Sequence, residues 1–329
     1  MNRPRIGFLG VGWIGRHRMQ VMLETGLVEA VAIADPSADM IAEAAKLAPD
    51  AQVVNGLEAM LAAGVDGVVI ATPSALHAEQ SIAALNAGAA VFCQKPLGRD
   101  AAEAARVVEA ARAADRLLSV DFSYRFTAGM QAIRALLAEG ALGHVQAVDL
   151  VFHNAYGPDK PWFYDRAQSG GGCVMDLGVH LVDLALWALG FPEGDPAVTA
   201  QLFADGRLLP PAAEAVEDFA TASIVLPTGT VVRLTCSWRL HAGRDAEISA
   251  AFYGTQGGAA LRNVDGSFYD FVAERYRGTQ RETLSQPPEE WGGRAGADWA
   301  RRLAGGARFD PAAAQLVTVS RMLDRIYGR

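Results

Sequence analysis

The chain has 329 residues, of which 51% are hydrophobic and 20% are charged, a composition typical of a globular protein and not of a disordered or fibrous one. Its 29 lysines and arginines and 37 aspartates and glutamates give a net charge of -8, and no basic run is long enough to follow a phosphate backbone, which argues against nucleic acid as a partner. The length suits two domains of ordinary size.

Short apolar runs alternate with alanine-rich stretches up to about residue 122. The runs are rich in Val, Ile or Phe and are bounded by Gly, Pro or Asp: RIGFLG, VEAVAIAD, VDGVVIATP, AAVFCQKP and LLSVDF. Helices are predicted between them at 14–25, 38–48, 56–63, 77–87 and 100–114. Strands that alternate with helices indicate an α/β domain over residues 1–122, with a parallel sheet covered on both faces.

The pattern changes after residue 122. A helical stretch, AGMQAIRALLAEG, and a strand, HVQAVDLVFH, precede strand-like runs that have no helices between them: VTAQLFA, DFATASIVLP, TVVRLTCSW, AEISAAFYG and AALRNVD. Turn signals such as PTGT and GTQGG between these runs predict an antiparallel sheet. Residues 123–329 are therefore expected to form an α+β domain.

Two segments near the end of the chain complete this domain. Residues 275–297 are polar and rich in Gly and Pro, which predicts a loop. Residues 311–328, PAAAQLVTVSRMLDRIYG, predict an amphipathic helix that could dock on either domain.

Targeting signals and cysteines indicate the compartment. The N-terminal sequence MNRPRIGFLGVG lacks the pattern of a signal peptide, and no stretch of about 18 uncharged apolar residues predicts a membrane span. Cys93, Cys173 and Cys236 are odd in number and lie in apolar surroundings, as reduced thiols do. We expect a cytoplasmic protein that does not bind membranes.

The glycine loop GVGWIG at residues 10–15 follows a predicted strand and opens a predicted helix with Trp13 and Ile14. In a G-x-G-x-x-G loop Gly10 permits the tight turn, Gly12 lets a pyrophosphate approach the backbone, and Gly15 allows close helix packing. These residues predict a Rossmann domain that binds a dinucleotide.

The acidic residue Asp35 ends the second predicted strand, 20 residues after Gly15. An aspartate at this position accepts hydrogen bonds from the adenine ribose. No Arg or Lys follows it directly to receive a 2'-phosphate, which predicts NAD as the cofactor in preference to NADP.

Two further segments follow predicted strands: ATPSALH at 71–77, with Thr72, Pro73 and His77, and CQKPLGRD at 93–100, with Gln94 and Lys95. The carboxyl ends of parallel strands are where open α/β sheets bind their ligands, so these residues are candidate cofactor contacts. The alternatives are a helix cap with a first-turn histidine in the earlier segment and a surface lysine in the later one.

The segment GGGCVMDLGVHLVD at 170–183 places three polar residues among apolar ones. On a helix Asp176, His180 and Asp183 share one face. His180 suits the role of proton acceptor, with Asp176 orienting it or holding a neighbouring hydroxyl. The alternatives are a capping aspartate with a core histidine, and a metal site that includes His153, although no Cys pair or compact His triad supports a metal.

Aromatic and polar side chains are mixed in YRF at 124–126 and in HNAYGPDKPWFYDR, which begins at His153. Such a mixture suits a sugar, whose C–H faces stack on rings and whose hydroxyls need partners. Arg125, His153 and Trp162 are therefore candidate substrate contacts, together with Lys95, Asp176 and His180. Packing of the aromatic rings against their own domain is the alternative.

The motifs together resemble the Gfo/Idh/MocA oxidoreductases over nearly the whole chain. They are the glycine loop, TP-x-x-x-H, x-KP, YRF and GGG-x-x-x-D-x-G-x-H-x-x-D. The family's EKP is here Gln94, Lys95 and Pro96, and its D-x-x-x-H pair falls on Asp176 and His180. Gln94 removes a carboxylate beside Lys95, although its amide can still hydrogen-bond a ribose or nicotinamide.

The resemblance implies a Rossmann domain followed by a domain with a large, open, mostly antiparallel sheet, with the active site in the cleft between them. It also implies a homodimer or homotetramer packed through the sheet faces. Lys95 and His180 are implied to act on a substrate hydroxyl or ketone, with Asp176 nearby.

These motifs predict an NAD-dependent dehydrogenase that acts on the CH–OH group of a sugar, inositol or related polyol. Two alternatives are an NAD-retaining glycosidase that uses transient oxidation and a non-catalytic NAD-binding sensor. The joint presence of Lys95, Asp176 and His180 argues against a sensor.

Overall fold

The computed structural model describes residues 3–210 and 213–329, which divide into two compact units. The first unit contains the residues up to Asp121 together with Gly293–Val317, and the second contains Phe122–Gly292 together with Thr318–Arg329.

The strands and helices follow in chain order. The strands are β1 (Arg5–Leu9), β2 (Glu29–Ala34), β3 (Gln52–Val53), β4 (Gly67–Ile70), β5 (Ala90–Cys93), β6 (Leu118–Val120), β7 (Val145–Asn154), β8 (Ala197–Ala204), β9 (Arg207–Leu208), β10 (Phe219–Val225), β11 (Val231–Ser237), β12 (Ala246–Gly254), β13 (Gly258–Asn263), β14 (Phe271–Arg277) and β15 (Gln280–Ser285). The α-helices are α1 (Trp13–Glu24), α2 (Ala38–Ala45), α3 (Leu57–Ala62), α4 (Ser74–Asn86), α5 (Ala101–Ala114), α6 (Ala128–Ala138), α7 (Arg166–Ser169), α8 (Val179–Ala188), α9 (Arg294–Ala304) and α10 (Ala314–Ile326).

The first unit is a Rossmann-type α/β fold. Its six-stranded sheet has the order β3-β2-β1-β4-β5-β6, and every neighbouring pair is parallel. The five predicted strands and five predicted helices of this region are confirmed, whereas the two-residue strand β3 was not predicted. The strand order reverses between β1 and β4, so a crevice for a ligand is expected beyond their carboxyl ends.

Helix α9 returns to the first unit and packs against its sheet. The ring of Trp299, which is 0% exposed, lies 5.9 Å from the ring of Phe92 on β5. A Cβ atom on Gly67 of β4 would lie 2.7 Å from the same indole, so glycine leaves the space that the tryptophan fills. The sequence placed residues 123–329 in one domain, but Gly293–Val317 packs with the first unit because this tryptophan is buried there.

The second unit contains a nine-stranded sheet with the order β15-β14-β13-β12-β7-β11-β10-β8-β9. All of its pairs are antiparallel except β7 with β11, which are parallel. The expectation of a large, mostly antiparallel sheet is confirmed.

The predicted loop at residues 275–297 is wrong. Strands β14 and β15 form a hairpin around Gly278, whose φ is +58°, and α9 begins at Arg294. Strand β15 is the edge of the sheet and its side chains are mostly exposed. Charged residues are common on exposed edge strands, where they discourage pairing with other chains, so this hairpin lacks the apolar alternation by which strands are recognised.

One segment of the described chain, Arg166–Ala188, is long and apolar enough to cross a membrane by length and composition alone, and 89% of its most apolar 18-residue window is buried inside the protein. The segment includes α8, whose residues pack against β7 and β11 of the nine-stranded sheet. It is the core helix of the second unit.

Replacement of Trp299 tests how α9 is held. Trp299→Ala is expected to lower the free energy of unfolding by about 3–5 kcal/mol because it removes a fully buried indole. Trp299→Phe is expected to cost less than half of that, because the indole Nε1 has no hydrogen-bond acceptor among the described residues. Urea unfolding measures both variants, with Leu208→Ala on the exposed strand β9 as the control. Equal losses for Ala and Phe would contradict this account.

Candidate active site

The glycine loop between β1 and α1 has two crowded positions and one open position. Gly10 has φ +83°, and a Cβ there would lie 2.5 Å from the carbonyl oxygen of Ala71. A Cβ on Gly15 would lie 2.1 Å from the carbonyl oxygen of Gly10. A Cβ on Gly12 would meet nothing within 4 Å, so the N-terminus of α1 is open beside it. Backbone N–H groups facing open space at a helix N-terminus fit a pyrophosphate.

Asp35, directly after β2, holds this loop in place through hydrogen bonds. Its Oδ2 accepts a hydrogen bond from the backbone N–H of Val11 at 2.8 Å, and its Oδ1 accepts one from Ser37 at 2.9 Å. The side chain is half-buried, and each carboxylate oxygen can accept a further hydrogen bond. Asp35 therefore shapes the glycine loop in addition to offering acceptors to a ribose.

The two residues that open α1 differ in exposure. Trp13 is 58% exposed and its ring stacks on His17 at a centroid distance of 6.3 Å, whereas Ile14 is half-buried. An exposed indole at a loop suited to phosphate is compatible with the predicted cofactor contact of Trp13.

His77 lies inside the first unit and not on its surface. The imidazole is 1% exposed, with Nδ1 2.6 Å from the carbonyl oxygen of Pro96 and Nε2 2.7 Å from that of Thr72. Burial lowers the pKa of His77. The prediction of cofactor contact for His77 is not supported, because both ring nitrogens lie against backbone carbonyl oxygens. The histidine instead ties the loop that carries Thr72 and Pro73 to the loop that carries Lys95.

Gln94 and Lys95 follow β5 directly and both are half-buried. The Nε2 of Gln94 donates a hydrogen bond to Oδ2 of Asp121, and the same oxygen accepts one from Nε of Arg18 at 2.6 Å. Sequence reasoning missed Asp121 and Arg18, because their 103-residue separation gives no local signal.

The structure describes every residue from Ser169 to Ala188. In this stretch all residues are buried except Asp176 and His180, which are partly exposed. Asp176 lies in a π-helical turn, Val174–Gly178, of the kind often found at functional sites. Its Oδ2 accepts a hydrogen bond from Nε1 of Trp238 at 3.0 Å. Two of the three residues of the predicted polar face, Asp176 and His180, are therefore partly accessible, whereas the third, Asp183, is buried.

The ring of Tyr124 packs against His180. The two rings meet edge-on at a centroid distance of 5.0 Å, and Asp176 contributes, after burial and Tyr269, to raising the pKa of the Tyr124 phenol. The buried ring of Tyr124 therefore limits the orientation of the His180 imidazole.

Two of the three glycines before Asp176 are required for close packing. A Cβ on Gly171 would lie 2.0 Å from the Tyr327 hydroxyl oxygen, and one on Gly172 would lie 1.9 Å from the carbonyl oxygen of Glu217. The buried carboxylate of Glu217 accepts hydrogen bonds from the backbone N–H groups of Gly172 and Val174, at 2.9 and 3.0 Å, and from the Tyr327 hydroxyl at 2.8 Å. Glu217, which sequence reasoning missed, fixes the start of the helix.

Arg125 and Asp183 form an ion pair with each other. The Arg125 Nε donates to Asp183 Oδ2 at 2.8 Å, its Nη2 donates to Oδ1, and the Asp183 side chain is 2% exposed. Burial raises the pKa of Asp183, and the neighbouring guanidinium opposes that shift. The prediction that Arg125 contacts substrate is not supported, because this bidentate pair already holds its guanidinium.

His153 lies on the other face of the nine-stranded sheet. Its neighbour Phe152 is 6.4 Å from the His180 ring, and successive side chains of a strand point to opposite faces. The His153 Nδ1 is 2.8 Å from the Ser237 hydroxyl oxygen, and its ring stacks on Phe219. The prediction that His153 binds substrate beside His180 is therefore not supported.

Trp162, the remaining predicted substrate contact, is half-exposed in a short 3-10 helix and stacks on Phe163 at 3.8 Å. Phe163 in turn meets Trp238, the donor to Asp176, edge-on at 6.4 Å. Trp162 is therefore linked to Asp176 through two aromatic rings.

Comparison with known proteins gives matches to both units. Residues 4–122 match the model of an oxidoreductase family with an NAD-binding Rossmann fold, and residues 130–260 match the GFO/IDH/MocA C-terminal domain. The chain is 33% identical over 261 residues to an inositol 2-dehydrogenase of Acidiphilium cryptum, covering 78% of this chain and 73% of that protein. It is 28% identical over 270 residues to a D-glucoside 3-dehydrogenase of Escherichia coli, covering 78% and 76%.

Solved structures share the fold over the whole chain. GenD2 from gentamicin A biosynthesis, solved with NAD, has a TM-score of 0.81 and 27% identity over 100% of this chain and 96% of that one. A levoglucosan dehydrogenase, solved with NADH and levoglucosan, has a TM-score of 0.84 and 21% identity, covering 99% and 97%.

The role of Glu217 is open to a direct test. Glu217→Ala is expected to lower the free energy of unfolding by about 3 kcal/mol, because the N–H groups of Gly172 and Val174 lose a buried acceptor. Glu217→Gln is expected to retain more stability, since the amide oxygen still accepts. Denaturant unfolding measures both.

The pH dependence distinguishes the carboxylate from the amide. Burial raises the pKa of Glu217 in the folded protein above its ordinary value of 4.5. The free energy of unfolding is therefore expected to fall as the pH rises from 4.5 toward the higher folded pKa, because the unfolded chain ionises more readily. In Glu217→Gln this contribution to the pH dependence of the free energy of unfolding is expected to be absent. Identical slopes for the two proteins would contradict the assignment.

Proposed function

This chain belongs to the Gfo/Idh/MocA oxidoreductase family, and we propose that it oxidises a CH–OH group of a sugar, inositol or related polyol with NAD, or catalyses the reverse reduction. The names of two relatives, inositol 2-dehydrogenase and D-glucoside 3-dehydrogenase, support this substrate class. The observation that carries the proposal is the accessible pair Asp176 and His180 on an otherwise buried helix.

The cofactor site is proposed at the carboxyl ends of β1, β2, β4 and β5. The residues proposed to contact NAD are Gly10, Gly12, Trp13, Ile14, Gly15, Asp35, Thr72, Pro73, Gln94 and Lys95. The open space at Gly12 suits the pyrophosphate, and the half-buried carboxylate of Asp35 suits a ribose hydroxyl and repels a 2'-phosphate. NAD, when bound, supplies the hydride acceptor.

The protein groups are proposed to handle the proton. As the C–H hydrogen leaves with its electron pair as hydride, the hydroxyl proton must leave the oxygen, and the His180 imidazole is proposed to accept it. Asp176, held by the indole N–H of Trp238, is proposed to orient the imidazole or a neighbouring substrate hydroxyl. Lys95 is proposed to stabilise the developing charge on the substrate oxygen.

The test is a screen of sugars, polyols and sugar acids with NAD, following the absorbance of NADH. Steady accumulation of NADH with a free sugar or polyol supports the proposal. Cleavage of a nitrophenyl glycoside without net NADH would favour a glycosidase that retains NAD. Binding of NAD without turnover on any substrate would favour a sensor.

Replacement of His180 tests the proton acceptor. His180→Ala is expected to reduce turnover about 10²-fold or more while NADH binding stays nearly unchanged. The matched control is His241→Ala, which removes an exposed histidine of the same unit. Unchanged turnover in the His180 variant would refute its role.

Replacement of Asp35 tests the cofactor site. Asp35→Ala is expected to weaken NADH binding about tenfold and to relax discrimination against NADP, because the carboxylate both accepts hydrogen bonds and repels a phosphate. Asp39→Ala, on the exposed start of α2, is the control. Fluorescence titration with NADH and NADPH measures both effects, and unchanged affinity for both would show that the ribose lies elsewhere.

A further inference from the structure

The residue before Lys95 is attached to a buried ion pair. Arg18 on α1 donates from Nε to Oδ2 of Asp121 at 2.6 Å, and the two side chains are 9% and 1% exposed. Gln94 donates from Nε2 to the same oxygen. One carboxylate at the end of β6 therefore binds both a cation from α1 and the amide that follows β5.

The chemistry of this carboxylate determines which way the amide of Gln94 is turned. An ionised carboxylate accepts hydrogen bonds and donates none, so only the NH₂ end of the amide can face Asp121. The carbonyl oxygen Oε1 then lies on the far side of the amide. Gln94 is half-buried, so this oxygen can be offered to a ligand.

The same contact explains why glutamine, and not the family's glutamate, suits position 94. A glutamate there would bring a second carboxylate against the buried carboxylate of Asp121. The guanidinium of Arg18 pairs with one carboxylate, so a second carboxylate at position 94 would face the first and repel it in a largely buried place.

We propose that Asp121, held by Arg18, is a positioning residue that fixes the amide of Gln94 with its carbonyl oxygen toward the bound dinucleotide, where it accepts a hydrogen bond from a hydroxyl or amide donor of the cofactor. Asp121 carries the negative charge that the family has at position 94. The proposal rests on the proposed contact between Gln94 and NAD.

The test compares Gln94→Glu, Asp121→Asn and the double variant that exchanges the two side-chain types. Gln94→Glu is expected to weaken NADH binding about tenfold and to lower the melting temperature of the cofactor-free protein by several degrees, through like-charge repulsion. Asp121→Asn is expected to weaken NADH binding about threefold with a smaller loss of stability, because the amide of Gln94 is then free to turn over. The double variant is expected to recover most of both losses.

Two further measurements sharpen the test. Gln52→Glu, exposed on β3, adds the same charge away from the network and is expected to change neither readout. If Gln94→Glu does not fold, recovery of folding in the double variant still supports the proposal.

The proposal is overturned if Gln94→Glu binds NADH within about twofold of the wild type with an unchanged melting temperature, or if the double variant shows only the sum of the single losses. Fluorescence titration with NADH and thermal unfolding give these answers without turnover. A protein that shows the coupling but oxidises no polyol would keep the positioning role and lose the proposed function.

Discussion

A buried or half-buried carboxylate that accepts backbone N–H groups holds each of the two glycine segments in place. Asp35 accepts from Val11 in the cofactor loop, and Glu217 accepts from Gly172 and Val174 at the start of the helix that carries His180. The Glu217 carboxylate satisfies a donor that a helix start leaves unpaired, the N–H of Val174, whereas Asp35 binds the loop just before α1. The glycines are needed for close approach of the backbone, as Gly15 and Gly172 show through the contacts that a Cβ would make. The glycine loop of the first unit depends on one of these anchors, and the helix that carries His180 in the second unit depends on the other.

The degree of burial distinguishes polar residues that stabilise the fold from those that a substrate can reach. A buried charge is costly unless it is paired, and Asp183 meets this condition through the bidentate contact with Arg125. His77 is likewise buried between two carbonyl oxygens. Asp176 and His180 stay partly exposed although their helix neighbours are buried, which is the condition that a group acting on a substrate must meet. Residue type alone does not make this distinction.

The sequence predicted both sheets because their central strands are apolar runs bounded by turn residues, as β1 and β4 are. It did not predict β14 and β15, since an edge hairpin with charged side chains lacks that signal. It proposed Asp176 and His180 as site residues from their helical spacing and from the family resemblance, although Asp176 itself lies in a π-helical turn. It could not find Glu217, which is 45 residues from Gly172, nor place His153, because the face of a strand follows from register and not from composition.

The glutamine that stands at the family's EKP position has a carboxylate beside it. Position 94 lacks a carboxylate, but Asp121 supplies one to the same place from a neighbouring strand, 27 residues later in the chain. Here the amide of Gln94 donates a hydrogen bond to the carboxylate of Asp121. A carboxylate at position 94 and an amide at position 121 could form the same bond with the donor and the acceptor exchanged. Two facing carboxylates would repel each other, so in this protein the side chains at 94 and 121 act as a pair of one donor and one acceptor.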